Sequence, residues 1–261
     1  MNFGGFVPLS TVDWRGRAVC TVFLRGCPLR CSYCQNEAIQ KGEDYRDISE
    51  VIDMIRTSAP YISSVMFSGG EPAAQKEALI TLAKSAKEMD LAVGLQTSGL
   101  FSETIGTLIH QRLVDKIAID YKTRWEEPGV WEPECALLRG KYEKNIRESI
   151  ALCKNATKEG ILSEFEIVIT VFNENEKYIK KISDETLDVS LVLQQGEYKI
   201  PMMPDDIVNM TEYIARKQSL MQQYTPMTRA DIQKIAEKLK RDVRIRTREI
   251  GEITYHRRFM L

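Results

Sequence analysis

Residues 25–36 read Arg-Gly-Cys-Pro-Leu-Arg-Cys-Ser-Tyr-Cys-Gln-Asn, and they place Cys27, Cys31 and Cys34 in a C-x3-C-x2-C pattern. Three thiolates with this spacing can bind one metal centre together. No fourth cysteine follows at matching spacing, so a [4Fe–4S] cluster bound here would keep one iron without a protein ligand. An open metal position is where a substrate or cofactor can coordinate. The spacing therefore indicates a reactive iron–sulfur cluster rather than a sealed electron carrier.

Zinc is the main alternative metal, because a C-x2-C pair is a common half of a zinc site. A structural zinc site needs four ligands. The sequence has no second C-x2-C pair, and His110 is the only histidine before the C-terminal tail. The other cysteines, Cys20, Cys135 and Cys153, lie outside the motif spacing and are expected to pack as small buried hydrophobes. The ligand count favours iron–sulfur over zinc.

The composition is that of an ordinary globular protein. The chain has 261 residues, of which 43% are hydrophobic and 28% charged, and its formal net charge is −1. This charge creates no field that would attract nucleic acid or an anionic membrane. No apolar run approaches the roughly 18 residues of a membrane helix, and we expect no signal peptide at the N-terminus. A cytoplasmic protein with reduced thiols is the expectation, which suits an iron–sulfur site.

Short apolar runs alternate with helical stretches along residues 1–195. The runs are rich in Val, Ile, Leu and Phe, as strands covered on both faces are. Candidate strands are Val19–Leu24, Ser64–Phe67, Ala92–Gln96, Lys116–Ile119, Phe165–Val171 and Val189–Gln194. Candidate helices are Ile48–Thr57, Gln75–Met89, Ser102–Gln111, Lys141–Asn155 and Glu174–Ile182. The alternation predicts parallel strands with right-handed crossovers. It indicates an α/β fold, a partial (β/α)6 barrel rather than a closed barrel of eight units.

Residues 196–261 depart from this alternation, so we expect a barrel domain at 1–195 and a C-terminal extension at 196–261 with helices and a short strand. One helical face is approximated by Ile207, Met210, Ile214 and Met221, and a second helix is predicted at Arg229–Leu239. The run Val243–Arg248 places its three arginines, Arg244, Arg246 and Arg248, on one face of a strand. A solvated edge strand protected by charge is the preferred interpretation. A docking face for an acidic partner is the alternative.

Polar motifs follow the second, third and fourth predicted strands. They are Phe67-Ser-Gly-Gly-Glu-Pro72, Gln96-Thr-Ser-Gly99 and Asp120-Tyr-Lys122. Consecutive glycines let the backbone approach a ligand closely, and a neighbouring carboxylate can receive an ammonium group. The carboxyl ends of parallel strands build the sites of such folds. The alternative for the later two motifs is a polar strand end that leads into a helix cap.

The cysteine run resembles that of the radical S-adenosylmethionine (SAM) superfamily, C-x3-C-x-aromatic-C, with Tyr33 at the aromatic position. The Gly-Gly-Glu sequence at 69–71 matches a second motif of that family. The resemblance implies a [4Fe–4S] cluster, SAM on its open iron, and reductive cleavage of SAM to a 5′-deoxyadenosyl radical that abstracts a hydrogen atom. It implies that Cys27, Cys31 and Cys34 bind the cluster. It assigns SAM binding to Tyr33, Gly69, Gly70, Glu71, Ser98, Asp120 and Lys122, with Glu71 near the SAM ammonium and Lys122 near its carboxylate.

Within that superfamily the chain is similar to the activating proteins of anaerobic ribonucleoside-triphosphate reductases, which are glycyl-radical-enzyme activases. The similarity rests on residues 3–14, the cysteine run, Val192-Leu-Gln-Gln195 and Val243-Arg-Ile-Arg246. It implies a glycine of a partner enzyme as the hydrogen donor, and an electron donor of the ferredoxin or flavodoxin type. The chain departs from the branch at Trp14-Arg15, where Tyr-Pro is usual, and at Ser98, where asparagine is frequent. Strand Glu164–Val171 also lacks an arginine often found there.

Two other functions stay open. One is a radical SAM enzyme that modifies a tRNA base, a peptide side chain or a small metabolite. The other is an electron-transfer or iron–sulfur scaffold protein without catalysis. The stretch Thr123–Leu138 is either a functional lid or partner contact, or a packed surface loop. His110 and His256 are expected on the surface and not in catalysis.

Overall fold

A computed structural model describes residues 1–31, 33–122, 136–172, 175–196 and 227–256. Its strands are β1 (Phe3–Ser10), β2 (Val19–Leu24), β3 (Ser64–Gly69), β4 (Ala92–Thr97), β5 (Lys116–Asp120), β6 (Glu164–Val171), β7 (Ser190–Gln195), β8 (Val243–Thr247) and β9 (Gly251–Tyr255). Its α-helices are α1 (Ile48–Ser58), α2 (Lys76–Glu88), α3 (Ser102–His110), α4 (Ala136–Lys158), α5 (Glu176–Glu185) and α6 (Arg229–Lys238). None of the helices in the described part is long and apolar enough to cross a membrane.

The strands hydrogen-bond in chain order from β1 to β9, in one nine-stranded sheet with β1 and β9 at its two ends. Strands β2 to β5 run parallel, as do β7 and β8. Between the parallel strands, α1, α2 and α3 make the crossover connections. Strand β1 is antiparallel to β2, and β9 is antiparallel to β8. The α/β class and the open sheet of a partial (β/α) barrel are therefore confirmed.

The chain divides into two compact units. The first comprises Met1–Arg30 and Asn36–Ile167, and the second comprises Cys31–Gln35 and Val168–Leu261. Because residues 197–226 lie outside the described residues, the helix face predicted at 207–221 and the domain boundary predicted at residue 195 stay predictions. The stretch predicted as a loop at 123–138 lies outside them up to residue 135, and residues 136–138 begin α4.

All six predicted strands are present, with ends that differ from the prediction by two residues at most. The strands are apolar because they are buried, as the sequence suggests. Four strand residues are fully or almost fully buried: Val22, Val65, Val93 and Ile117. Strands buried on both faces need apolar side chains at successive positions rather than at alternate ones. The helices predicted within the described residues are also present, although α4 starts earlier than the expected Lys141.

The two antiparallel strands were not predicted. Strand β1 contains Gly4, Gly5 and Pro8, residue types that are depleted in strands, and its pairing with β2 decides its conformation. A Cβ atom at Gly4 would lie 2.9 Å from the Phe23 carbonyl oxygen, so glycine permits the close approach of β1 to β2. The prediction that Val243–Arg248 forms an edge strand is wrong, because β8 lies between β7 and β9.

Trp14 anchors the amino-terminal end of the strands in the first unit. Its side chain is fully buried and packs against Val19 and Met66, and its indole Nε1 donates to Glu164 Oε1 at 2.8 Å. The Lys116 Nζ atom lies 5.5 Å from the centre of the indole ring. Val19, Lys116 and Glu164 are the first residues of β2, β5 and β6. This end of the unit is therefore closed by an aromatic side chain and by charged groups around it.

Lys116 is almost completely buried and lies 3.4 Å from the Glu166 carboxylate and 3.5 Å from that of Glu164. Loss of one partner of a buried ion pair is costly, because the other charge stays in a poorly solvated place. Lys116→Met should therefore lower the free energy of unfolding by about 3–5 kcal/mol in urea titrations. Lys234→Met is the matched control, because its pair with Asp231 is exposed and should contribute little. Equal effects of the two substitutions would contradict this account.

Candidate functional site

The predicted rim residues lie at one edge of the parallel sheet in the first unit. The register pairs Leu24 with Gly69 at the ends of β2 and β3, and Thr97 with Ile119 near the ends of β4 and β5. The polar motifs follow these ends directly. The structure thus places at the same carboxyl edge the predicted residues Gly69, Gly70, Glu71, Ser98, Asp120 and Lys122.

The two glycines at 69–70 bring β3 against the segment that follows β2. Gly69 has φ +124°, and a Cβ atom at Gly70 would lie 2.2 Å from the Gly26 carbonyl oxygen. The Gly70 amide donates to the Leu24 carbonyl and the Glu71 amide donates to the Gly26 carbonyl, each at 2.8 Å. These amides therefore bind the chain just before Cys27. The close approach of these two backbone segments requires glycine at position 70, and SAM binding by Gly69 and Gly70 stays a prediction.

The Glu71 side chain is buried, with 1% of its surface exposed, and it joins the ends of β3 and β4. Oε1 accepts hydrogen bonds from the Ala73 amide at 3.0 Å and from Thr97 Oγ1 at 2.6 Å. Oε2 accepts from the Ser98 amide at 2.7 Å and from Ser98 Oγ at 2.6 Å. Each carboxylate oxygen thus has one backbone and one hydroxyl donor. The predicted pairing of Glu71 with a ligand ammonium would have to compete with these donors.

Asp120 and Lys122 form a partly buried ion pair at the end of β5. Lys122 Nζ lies 2.6 Å from Asp120 Oδ2, and the two side chains are 16% and 20% exposed. The second carboxylate oxygen, Oδ1, is buried and has no hydrogen-bond donor among the described residues. A buried carboxylate oxygen without a donor is costly unless a ligand supplies one. This pair offers an acceptor for a ligand N–H or O–H group and a cation for a ligand carboxylate.

Helix α4 supports the rim from the side. The Tyr142 hydroxyl accepts from the Lys122 amide at 3.2 Å, and Asn145 Nδ2 donates to the Leu100 carbonyl at 2.9 Å. Ser149 Oγ donates to the Gly99 carbonyl at 2.7 Å. These bonds hold the segments that follow β4 and β5, which carry the candidate ligand groups. The orientation of the rim therefore depends on a helix that contributes none of the predicted site residues.

The cysteine run begins in a loop that the first unit holds firmly. The Gly26 amide donates to the Ile39 carbonyl at 2.8 Å, and the Cys27 amide donates to the Gln40 carbonyl at 3.1 Å. Cys27 Sγ accepts a hydrogen bond from the Leu29 amide at 3.4 Å. Asn36 Nδ2 donates to the Gly69 carbonyl at 3.0 Å. The Asn36 side chain thus ties the loop to the Gly-Gly-Glu segment.

The cysteines of the motif differ in exposure from the structural ones. Cys27, Cys31 and Cys34 are partly exposed, whereas Cys20 and Cys153 are buried. Burial raises the pKa of the Cys20 thiol to about 12 and also raises the pKa of Cys153, so neither supplies a thiolate readily. Among the described residues, no three His, Cys, Asp or Glu side chains are gathered into a metal-binding arrangement. Cluster binding by the motif cysteines stays a prediction, and Cys135 lies outside the described residues.

Tyr33, the aromatic residue of the motif, contacts Phe172 in the second unit. The ring centres are 5.0 Å apart and the ring planes are inclined by 51°. The Phe172 amide donates to Asn175 Oδ1 at 3.1 Å, and the Gly196 amide donates to the Val171 carbonyl at 3.1 Å. A Cβ atom at Gly196 would lie 2.3 Å from Phe172 Cε1. Gly196 therefore leaves the space that the Phe172 ring occupies beside Tyr33.

Comparison with known proteins agrees with this arrangement of motifs. The family model of the radical SAM superfamily matches residues 21–186, which include the cysteine run and the whole rim. The chain belongs to the radical SAM superfamily. A Methanocaldococcus jannaschii protein provisionally named glycyl-radical enzyme activating enzyme is 32% identical over 200 residues, which cover 75% of this chain and 80% of that protein. The superfamily and the resemblance to its activase branch are therefore confirmed.

Two further relatives have different names. The pyruvate formate-lyase-activating enzyme of Clostridium pasteurianum is 34% identical over 84 residues, covering 30% of this chain and 35% of that enzyme. A 7-carboxy-7-deazaguanine synthase of Methanocaldococcus jannaschii is 31% identical over 204 residues, covering 71% of this chain and 80% of that enzyme. The similarity to the synthase is thus comparable in extent to the similarity to the first Methanocaldococcus jannaschii relative.

The arginine face of β8 is engaged within the second unit. Arg244 and Arg246 bind the Glu252 carboxylate at 3.0 and 2.8 Å, and they also donate to Ser190 and Gln194 on β7. Burial opposes ionisation of Glu252, but the two arginines outweigh it and lower the pKa of this carboxyl. These contacts favour a structural role for Arg244 and Arg246, and they weaken the docking hypothesis for this face.

Sequence reasoning did not single out Thr97, Phe172 or Gly196. Thr97 belongs to the Gln96–Gly99 motif, in which the family resemblance predicts SAM binding by the neighbouring Ser98. Phe172 and Gly196 follow the ends of β6 and β7, and that position is a signal that could have identified them. Their roles depend on contacts between distant parts of the chain, which local patterns do not show.

The contact of Phe172 with Gly196 leads to a prediction. Gly196→Ala should displace the ring or the β7 backbone and lower the free energy of unfolding by about 1–3 kcal/mol in urea titrations. Gly140→Ala is the control, because no atom lies within 4 Å of its added Cβ and helix α4 should gain from alanine. Destabilisation by both substitutions, or by neither, would contradict the packing described here.

Proposed function

We propose that this protein is a glycyl-radical-enzyme activase that uses a [4Fe–4S] cluster and SAM. The observation that carries the proposal is the rim, where a buried carboxylate oxygen without a described donor lies beside a lysine in a radical SAM chain. The activating-enzyme relative supports the activase role, because the similarity spans most of both chains. The anaerobic ribonucleotide reductase is the proposed target, on the resemblance of residues 3–14 and 192–195 to its activating proteins.

The residues present fit the cofactors by the chemistry of their donor groups. Cys27, Cys31 and Cys34 supply three partly exposed thiols, the number that leaves one iron of a [4Fe–4S] cluster open. When bound, the cluster and SAM supply one-electron cleavage of the sulfonium and a 5′-deoxyadenosyl radical that takes a hydrogen atom from a carbon. The protein itself binds, orients and protects these groups.

The rim would hold the amino-acid part of SAM. Lys122 would pair with its carboxylate, and Asp120 Oδ1 would accept from its ammonium or from a ribose hydroxyl. Ser98 would act beside them, with its backbone fixed by Glu71. Tyr33 would contact the adenosyl part, and Phe172 would hold the Tyr33 ring in place. No residue of this set needs to act as a general base, because hydrogen-atom abstraction moves no proton to the protein.

A second candidate function has a specific observation in its favour. The deazaguanine synthase relative spans a similar share of this chain at a similar identity. A radical SAM enzyme acting on a small metabolite would use the same cluster and the same rim. The two functions differ only in the donor of the hydrogen atom, a glycine of a protein or a carbon of a small molecule. The electron donor, of the ferredoxin or flavodoxin type, and a cytoplasmic location belong equally to both proposals.

The cluster proposal predicts the metal content of the protein. Anaerobic reconstitution should give about four irons per chain, with the absorbance of an iron–sulfur cluster. Alanine at Cys27, Cys31 or Cys34 should abolish the cluster, because each thiolate binds one iron. Cys153→Ala is the matched control and should keep the iron, since that thiol is buried and protonated. Stoichiometric zinc without iron–sulfur absorbance would contradict the proposal.

The activase proposal predicts a radical on a partner protein. The reduced protein, SAM and the anaerobic ribonucleotide reductase of the same cell should together give a glycyl radical doublet in electron paramagnetic resonance. The cluster-free Cys34→Ala variant should give none. Formation of 5′-deoxyadenosine without a glycyl radical on any glycyl radical enzyme of the host would refute the activase role. The metabolite-modifying function would then replace it, with the cluster and SAM proposals unchanged.

A further inference from the structure

The Gly-Gly-Glu segment is saturated with bonds inside the protein. A carboxylate has about four acceptor sites, and Glu71 receives four hydrogen bonds from Ala73, Thr97 and Ser98. The amides of Gly70 and Glu71 are also used, since they donate to carbonyl groups beside the cysteine run. A ligand ammonium that approached Glu71 would therefore have to displace a donor that the fold already supplies.

We infer that Glu71 is a positioning residue that fixes the cysteine loop to the rim, and that Thr97 is its partner in this role. The inference rests on the proposed function and changes the role expected for Glu71, from a direct contact of the SAM ammonium to a support of the groups that bind SAM. Its backbone amide holds Gly26, next to Cys27, and its side chain holds Thr97 and Ser98. One buried residue thus sets the spacing between the loop and the end of β4.

The geometry of these four hydrogen bonds makes the substitution Glu71→Gln a sensitive test of the positioning role. Each Glu71 oxygen accepts from one backbone N–H, that of Ala73 or that of Ser98. In either orientation of a glutamine amide, its NH2 group would face a backbone donor. Glu71→Gln therefore cannot reproduce the bonds, although it is nearly the same size. A buried donor left without an acceptor destabilises the segment that carries it.

Thr97 offers a change that leaves Glu71 in place. Its hydroxyl donates to Glu71 Oε1 at 2.6 Å and accepts from the Gly99 amide at 3.2 Å, and its side chain is buried. Thr97→Val keeps the shape and removes both bonds. Thr97→Ser keeps the hydroxyl and serves as the matched control. A substitution that acts at Thr97 reaches the ligand only through Glu71 and the end of β4.

The experiment measures stability and ligand affinity separately. Urea unfolding of the cluster-free protein should show a lower midpoint for Glu71→Gln and Thr97→Val than for the wild type and Thr97→Ser. Equilibrium binding to the reconstituted protein is then measured with SAM and with its deamino analogue, which lacks the ammonium group. We expect Glu71→Gln to weaken both ligands by a similar factor, roughly tenfold, and Thr97→Val to weaken both by a smaller factor.

Other results would overturn the inference. A penalty for SAM that disappears with the deamino analogue would identify Glu71 as a direct contact of the ammonium. A lower unfolding midpoint with unchanged affinity for both ligands would leave Glu71 a purely structural role. Failure of the proposed function looks different, because the wild-type protein itself would then bind neither ligand and form no 5′-deoxyadenosine. The comparison of variants therefore separates an error about Glu71 from an error about the reaction.

Discussion

The buried carboxylate of Glu71 is the constraint on which the candidate site depends. A charged group that is 1% exposed persists only where hydrogen bonds replace its water, and the ends of β3 and β4 supply those bonds. The same residue donates its amide to Gly26 and so reaches the loop that carries Cys27. A shift of either strand end would break hydrogen bonds of this buried carboxylate. These bonds hold the ends of β3 and β4 together without a ligand, and such pre-organisation lowers the cost of ordering a binding site.

In the first unit, the amino ends of the strands carry buried stabilising contacts, and the carboxyl ends carry the candidate site. At the amino ends, Trp14 and the ion pair of Lys116 with Glu166 fill the interior with groups that satisfy one another. At the carboxyl ends, the pair of Asp120 and Lys122 keeps one buried carboxylate oxygen without a described donor. A buried group without a partner is costly unless a ligand supplies one, so this end of the strands is the one that suits a binding site.

Much of the fold could be predicted because the six predicted strands carry continuous apolar runs, a signal that can be detected without tertiary information. Strand β1 was not predicted, because Gly4 and Pro8 disfavour a strand. Its extended conformation depends on pairing with β2. The arginines of β8 were predicted to form an exposed charged face. Their partner Glu252 lies on β9, a strand that the sequence pattern did not predict. At the site, the cysteine spacing was visible in the sequence. Thr97 was not, because its role exists only through Glu71.

Under either proposed function, the residues that would hold the cluster and SAM do not by themselves decide which hydrogen atom is taken. A protein provisionally named as an activating enzyme and a synthase are similar to this chain over comparable lengths, so similarity alone does not decide between the two proposed functions. A glycine of a folded partner must reach the rim as a backbone loop, which requires an open approach and recognises few side chains. A small metabolite requires instead a concave site with polar groups placed to fix its orientation. The two functions therefore place opposite demands on the surroundings of the rim, while Cys27, Asp120 and Lys122 would serve either one unchanged.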